Sequence, residues 1–176
     1  MRPRRVPQTM PHPELGSRIV IIGNSGSGKS TLAQRIADRS GLPALDLDLI
    51  HWEGEGYGRK RDEGVARALA AEAAGGRRWI IEGVYGWLAS AALPRAESLI
   101  WLDLPWSECR EGLLGRGMRR GARDDDFAAL LAWAEDYWNR TTSSSFTGHR
   151  HLFEAFEPLK YRLCNRAEVF EFLAAL

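Results

Sequence analysis

Apolar positions follow two rhythms along this chain. Continuous apolar runs of about four residues alternate with longer stretches where apolar residues recur every three or four positions. Ile19-Val20-Ile21-Ile22 is the first run, and it stops at Gly23. A run with no polar face predicts a strand buried on both sides of a parallel sheet. Thr31 to Ser40 follows, with Leu32, Ala33, Ile36 and Ala37 on one helical face and Gly41 and Pro43 closing it. Pro43–Leu49 predicts a second strand, and Val65–Ala74 a second helix ended by Gly75-Gly76. Trp79-Ile80-Ile81 predicts a third strand and Ser98–Leu102 a fourth. Pro105 suits the first turn of a helix running to about Leu114. Phe127, Leu130, Leu131, Ala134, Tyr137 and Trp138 share one face of another helix, and the aromatic face of Trp133, Tyr137 and Trp138 is expected in the core and not as a stacking platform. Tyr161–Cys164 predicts a fifth strand, and Asn165 with Glu168 has the pattern of a capping box opening a last helix, Ala167–Leu176.

Strands alternating with helices predict an α/β fold in three layers, a parallel sheet covered on both faces. Ligands of such sheets bind at the carboxyl ends of the strands. The loops after Ile22, Leu49, Ile81 and Leu102 should therefore meet around one site. Residues 1–17 hold four prolines, three arginines and no apolar run, which predicts a tail ahead of a single domain over 18–176.

Composition narrows the function classes. The net charge of +1, from 24 Lys+Arg against 23 Asp+Glu, argues against strong nucleic-acid binding. No run approaches the roughly 18 apolar residues of a membrane span. Cys109 and Cys164 stand far apart and imply no disulfide framework, so a cytoplasmic protein with reduced thiols is expected. The chain has three lysines, and one lies in its strongest motif.

That motif is Gly23-Asn24-Ser25-Gly26-Ser27-Gly28-Lys29-Ser30, a G-x-x-x-x-G-K-[ST] phosphate loop between a predicted strand and helix. At this composition the pattern arises by chance in roughly 0.3% of such chains. Glycines let backbone N–H groups surround phosphate oxygens, and the helix N-terminus adds its dipole. Lys29 would bridge the β- and γ-phosphates of ATP, and the Ser30 hydroxyl would ligate Mg²⁺. Thr31 reaches the α-phosphate or caps the helix.

Acceptor chemistry is expected after the second and third strands. Strand alternation would put Asp46 and Asp48 on one face, where carboxylates hold metal through water or take a proton from an attacking hydroxyl. A solvated strand end is the plainer alternative. Trp52 stacks on an acceptor ring or packs in the core. Arg59-Lys60-Arg61 lies in a glycine-rich stretch that closes over an anionic acceptor or is merely solvated. Glu82 would face the site, Gly83 would allow close backbone approach, and Tyr85 shares their turn. Asp103 reads as a metal-binding aspartate after an apolar strand or as a helix cap. Arg116, Arg119, Arg120 and Arg123 alternate with glycines in an arginine-rich lid that would stabilise charge on a transferred phosphoryl group. His149 and His151 show no metal-ligand pattern and are expected at the surface.

The chain resembles the small P-loop kinases labelled DNA topology modulation protein or adenylate-kinase-like protein. The resemblance rests on Ile21 to Leu32, on Leu47-Asp48-Leu49-Ile50-His51-Trp52, on Trp79 to Gly86 and on Leu102-Asp103-Leu104-Pro105. It implies a nucleoside-monophosphate-kinase-like P-loop fold with a five-stranded parallel sheet, an acceptor region after strand two and a lid after helix four. On that pattern Arg116 lies beside the adenine, Arg120 reaches the phosphates, and Asn165 and Arg166 sit near the base. Asp46-Leu47-Asp48 is also similar to the paired aspartates of shikimate-type kinases. Glu82 stands where relatives commonly carry Asp, and His51 replaces a usual aromatic. The function implied is ATP- and Mg²⁺-dependent phosphotransfer to a small hydroxyl- or phosphate-bearing acceptor, with nucleosides and nucleotides among the candidates. A nucleotide-gated binding protein and a simple NTPase are the alternatives.

Overall fold

A computed structural model of the chain describes residues 13–54, 59–117 and 124–176. Five strands, β1 (Arg18–Gly23), β2 (Ala44–Asp46), β5 (Trp79–Gly83), β6 (Ser98–Leu102) and β7 (Leu159–Leu163), form one sheet in the order β2-β5-β1-β6-β7. Every pairing in it is parallel. Two short strands, β3 (Trp52–Glu53) and β4 (Arg59–Lys60), pair antiparallel beside it.

The continuous apolar runs are explained by burial on both faces. Ile19 and Ile21 of β1 point to one side, where they meet Leu32, Ala33 and Ile36 of α1 (Lys29–Ser40), Cys109 of α5 (Trp106–Arg116) and Phe172 of α8 (Arg166–Ala175). Val20 and Ile22 point to the other side. There they meet Ala66 and Ala70 of α3 (Glu63–Ala73), Leu88 and Ala89 of α4 (Gly86–Ala92), and Leu152 and Phe153 of α7 (Phe146–Ala155). The result is the expected three-layer α/β sandwich with its site-forming loops at the carboxyl ends of the strands.

Three elements depart from the sequence reading. The second strand ends at Asp46, because the Asp46 carboxylate accepts a hydrogen bond from the Asp48 backbone N–H at 2.8 Å. That local turn starts α2 (Asp48–His51) instead of more strand. The helix of the aromatic face, α6, runs over Asp124–Glu135 and tightens to a 3₁₀ turn over Asp136–Trp138. The packed body also begins earlier than Arg18. Leu15 is buried, and its carbonyl accepts a hydrogen bond from Ser98 Oγ at 2.8 Å.

Candidate functional site

The phosphate loop links β1 to α1 as its glycines demand. Gly26 and Gly28 hold φ of 79° and 95°, left-handed values that a side chain resists. A Cβ on Gly26 would also overlap the Cys109 carbonyl, and one on Gly112 would overlap the Gly26 carbonyl, so α5 crosses the loop glycine against glycine. Gly28 caps α1 without any side-chain bond, which leaves the helix N-terminus unblocked for an anion. Lys29 is buried, and its Nζ donates to the Asn24 carbonyl across the loop at 2.9 Å.

The loop opens onto a cavity of about 590 Å³. Ser25, Gly26, Gly28, Lys29, Ser30 and Thr31 form its phosphate end, with Arg116 and Arg166 beside them. Asp46, Asp48, Trp52, Glu82, Gly83 and Tyr85 line it as well, so the cavity unites the two sets of predicted residues. Asp46 and Asp48 arrive there through the turn into α2, not through strand alternation.

Glu82 sits almost wholly buried at the end of β5. Burial pushes its carboxyl above the usual range, with Asp46 and Asp48 adding to the rise. Lys29 and a hydrogen bond with Ser30 pull the other way. The Ser30 hydroxyl is thus tied to a carboxylate from the neighbouring strand. Gly83 answers a packing need, since a Cβ there would lie 2.7 Å from Leu47 Cβ.

The β3–β4 ribbon sorts its side chains by register. Directly opposed residues share a face. Trp52 pairs with Lys60, and both line the cavity. Glu53 pairs with Arg59 on the other face, where Arg59 is exposed and bonds Glu53 at 3.0 Å. Arg61 donates to the carbonyls of Ile50 and Trp52. Of the basic run, Lys60 alone reaches the cavity, and Arg59 does not.

Other expectations are corrected. Gly23, Asn24 and Ser27 stand behind the cavity surface. Asn24 is buried and its Nδ2 donates to the Ala134 carbonyl at 2.8 Å, tying the loop to α6. Ser27 Oγ is buried with no partner. Asn165 does not line the cavity; its side chain accepts from Glu168 N and caps α8, as its capping-box pattern requires. Arg166 does reach the site, donating to the Ser27 and Gly26 carbonyls at 2.8 and 3.0 Å. Asp103 is held by Arg162 at 2.6 Å and lies outside the cavity, so neither the metal nor the cap role fits it. Arg119, Arg120 and Arg123 lie outside the described residues.

His149 is the largest surprise. It is fully buried, not a surface residue. Its Nε2 lies 2.9 Å from the Val84 carbonyl and its Nδ1 2.6 Å from the Tyr137 hydroxyl, which also accepts from Trp101 Nε1. Since a carbonyl only accepts, Nε2 carries the proton and Tyr137 donates to Nδ1. His149 thereby fixes Val84, a cavity residue. His51 also lines the cavity, stacked on Tyr85 with ring centroids 4.0 Å apart. Burial, reinforced by Lys60, lowers its pKa against the pull of Asp48 and Glu63. From α6, Phe127, Leu130 and Trp133 complete the wall. Trp133 was read as core, since helical periodicity does not separate a core face from a cavity face.

The loop fits a nucleotide: its helix end carries no side-chain cap, and Lys29 and Ser30 line the cavity beside it. Among the described residues no cluster of three or more metal-ligating side chains occurs. A divalent ion would therefore rest on Ser30, nucleotide oxygens and water. Among those residues no helix is long and apolar enough to cross a membrane.

No protein-family model matches the chain. A shikimate kinase of Symbiobacterium thermophilum is 33% identical over 119 residues, which span 58% of this chain and 66% of that enzyme. A gluconokinase structure from Sinorhizobium meliloti covers 94% of this chain and 93% of its own, with a TM-score of 0.55 and 21% identity. A shikimate kinase structure from Bacteroides thetaiotaomicron covers 90% and 94%, with a TM-score of 0.55 and 19% identity. One from Aquifex aeolicus covers 89% and 91%, with a TM-score of 0.51 and 16% identity. The chain has the α/β fold of these small P-loop kinases, around a five-stranded parallel sheet.

Proposed function

We propose that the protein is an ATP-dependent kinase that transfers a phosphoryl group to a hydroxyl of a small molecule. One observation carries the reading: Lys29 and Ser30 open onto the same cavity as Asp46 and Asp48. The names of its relatives, shikimate kinase and gluconokinase, support it. Within that group we place the chain with the kinases labelled topology modulation proteins, on the strength of Leu47–Trp52 and Trp79–Gly86.

Mg·ATP, when bound, supplies the phosphoryl group and neutralises its charge. Lys29 supplies a point charge at the transferred group, and the backbone of Gly26 to Ser30 cradles the phosphates. Ser30 holds the metal, oriented by its hydrogen bond with Glu82. Asp46 fixes the start of α2 and so aims Asp48, which orients the acceptor hydroxyl and takes its proton. Arg116, Arg119, Arg120 and Arg123 stabilise charge on the equatorial oxygens, and Arg166 braces the loop.

The test is ADP release from Mg·ATP across a panel of small alcohols, with Lys29→Ala as the blank. At least one acceptor should stimulate release, and Lys29→Ala should abolish the stimulation. Stimulation that survives in Lys29→Ala refutes the assignment.

A further inference from the structure

Asn24 lines no part of the cavity, yet three hydrogen bonds meet at this buried residue. Its carbonyl accepts from Lys29 Nζ at 2.9 Å, its Oδ1 accepts from the Ser25 backbone N–H at 2.8 Å, and its Nδ2 donates to the Ala134 carbonyl at 2.8 Å. Two of these bonds lie within the phosphate loop. The third leaves it for the last turn of α6, 110 positions along the chain.

The helix is held at that end. Ala134 and, just beyond the helix, Tyr137 are buried, and the Tyr137 hydroxyl is bonded to His149 and Trp101. None of residues 125–133 is buried. Phe127, Leu130 and Trp133 of that stretch line the cavity. A helix anchored at one end, with no buried residue along the rest, belongs to the low-stability part of a fold, from which elements that order on binding are drawn.

Lys29 supplies the other half of the connection. An ammonium carries three N–H donors, so Lys29 can keep the Asn24 carbonyl while it meets a phosphate. Phosphate, Lys29, Asn24 and Ala134 then form one unbroken run of bonds from the ligand to α6. Buried hydrogen bonds in series strengthen one another.

We propose that Asn24 is a positioning residue that carries phosphate occupancy at Lys29 to α6, so that a nucleotide in the loop orders the helix that walls another part of the cavity. This rests on the nucleotide-binding half of the kinase reading above. Asn24 itself touches no ligand; it acts through Lys29 on one side and Ala134 on the other.

The experiment is amide hydrogen exchange of the full chain, read over residues 26–32 and 125–135, with and without Mg·ADP. Coupling is reciprocal, so Asn24 variants should bind Mg·ADP more weakly, and it is supplied at saturation. In the wild type Mg·ADP should slow exchange in both segments, by roughly fivefold or more over 125–135. In Asn24→Ala it should still slow 26–32, which shows a folded chain with a filled site, and should lose its effect on 125–135. Asn24→Asp keeps an acceptor for Ser25 but sets an oxygen against the Ala134 carbonyl, and it should behave as Asn24→Ala does. Unchanged exchange over 125–135 in the wild type, or equal slowing there in a variant whose 26–32 is slowed, overturns this inference and leaves the kinase reading standing. Loss of Mg·ADP binding in both variants assigns Asn24 to the loop alone and overturns it as well. If Mg·ADP slows neither segment of the wild type, the nucleotide site itself fails, and the kinase reading falls together with this inference.

Discussion

Acidification should destabilise this protein through one buried side chain, His149. Its two ring nitrogens are satisfied only in the neutral form, by the Val84 carbonyl and the Tyr137 hydroxyl. Burial pushes its pKa down to about 3, with Lys29 and Arg140 opposing a second positive charge and the Val84 carbonyl favouring one. An unfolded chain protonates the same imidazole near 6.5. Between those values the unfolded state binds a proton that the native state refuses. The stabilisation is therefore complete above about pH 6.5 and is lost as pH falls toward 3, at up to about 1.4 kcal/mol per pH unit. From pH 8 to pH 5 that amounts to about 2 kcal/mol from this residue alone. Urea unfolding of the wild type and of His149→Gln at pH 8, 7, 6 and 5 isolates it, since other titrating groups cancel in the difference. The variant should be less stable at pH 8, because Tyr137 loses its acceptor, yet its stability should fall about 2 kcal/mol less by pH 5. Parallel pH profiles for the two proteins would refute the reasoning.

Two further outcomes follow from the loop and from the fourth strand's end. Gly26→Ala forces a side chain into left-handed backbone at a cost of about 1–2 kcal/mol and into overlap with the Cys109 carbonyl. Calorimetry should show a lowered Tm and lost ATP binding, and a variant with both intact contradicts the packing of α5 on the loop. Asp103→Asn should leave acceptor-dependent turnover within about twofold, because the carboxylate serves Arg162 outside the cavity. With the Asp103 side chain 9% exposed and that of Arg162 44%, the pair is half-buried, and the stability loss should be about 1–3 kcal/mol by denaturant titration. A large fall in turnover with normal stability would restore a metal role for Asp103.

The three central strands were legible because they are buried on both faces, which leaves no polar position to interrupt the run from Ile19 to Ile22. The phosphate loop was legible because its glycines answer to backbone constraints that lie within a few residues. The capping box at Asn165 belongs to the same class, and its side chain closes on Glu168 three residues away. What escaped depends on partners far along the chain. His149 reads as a surface residue in its own segment, and its environment comes from Val84, 65 positions earlier. The turn at Asp46 was local, yet two aspartates flanking a leucine fit strand alternation and a side-chain-to-backbone turn equally well, and only the 2.8 Å bond separates them.

The same distinction explains why the acceptor end was harder to read than the phosphate end. Phosphate chemistry is common to every nucleotide, so one contiguous loop with fixed backbone needs can serve it. The rest of the cavity wall is assembled from α2, the β3–β4 ribbon, the turn after β5 and α6, elements far apart along the chain. In such an assembly, register decides more than residue type. Arg59, Lys60 and Arg61 look alike in a row, but pairing with Glu53 and Trp52 turns Arg59 outward and Lys60 inward, while the carbonyls of Ile50 and Trp52 hold Arg61. The basic run thereby loses the look of an anion clamp, with one of its three cations turned into the cavity. Shifting the ribbon by a single residue would exchange Lys60 for its neighbours and invert that balance. Which cation of the run lines the cavity is therefore set by the ribbon's register, with Trp52 opposite Lys60.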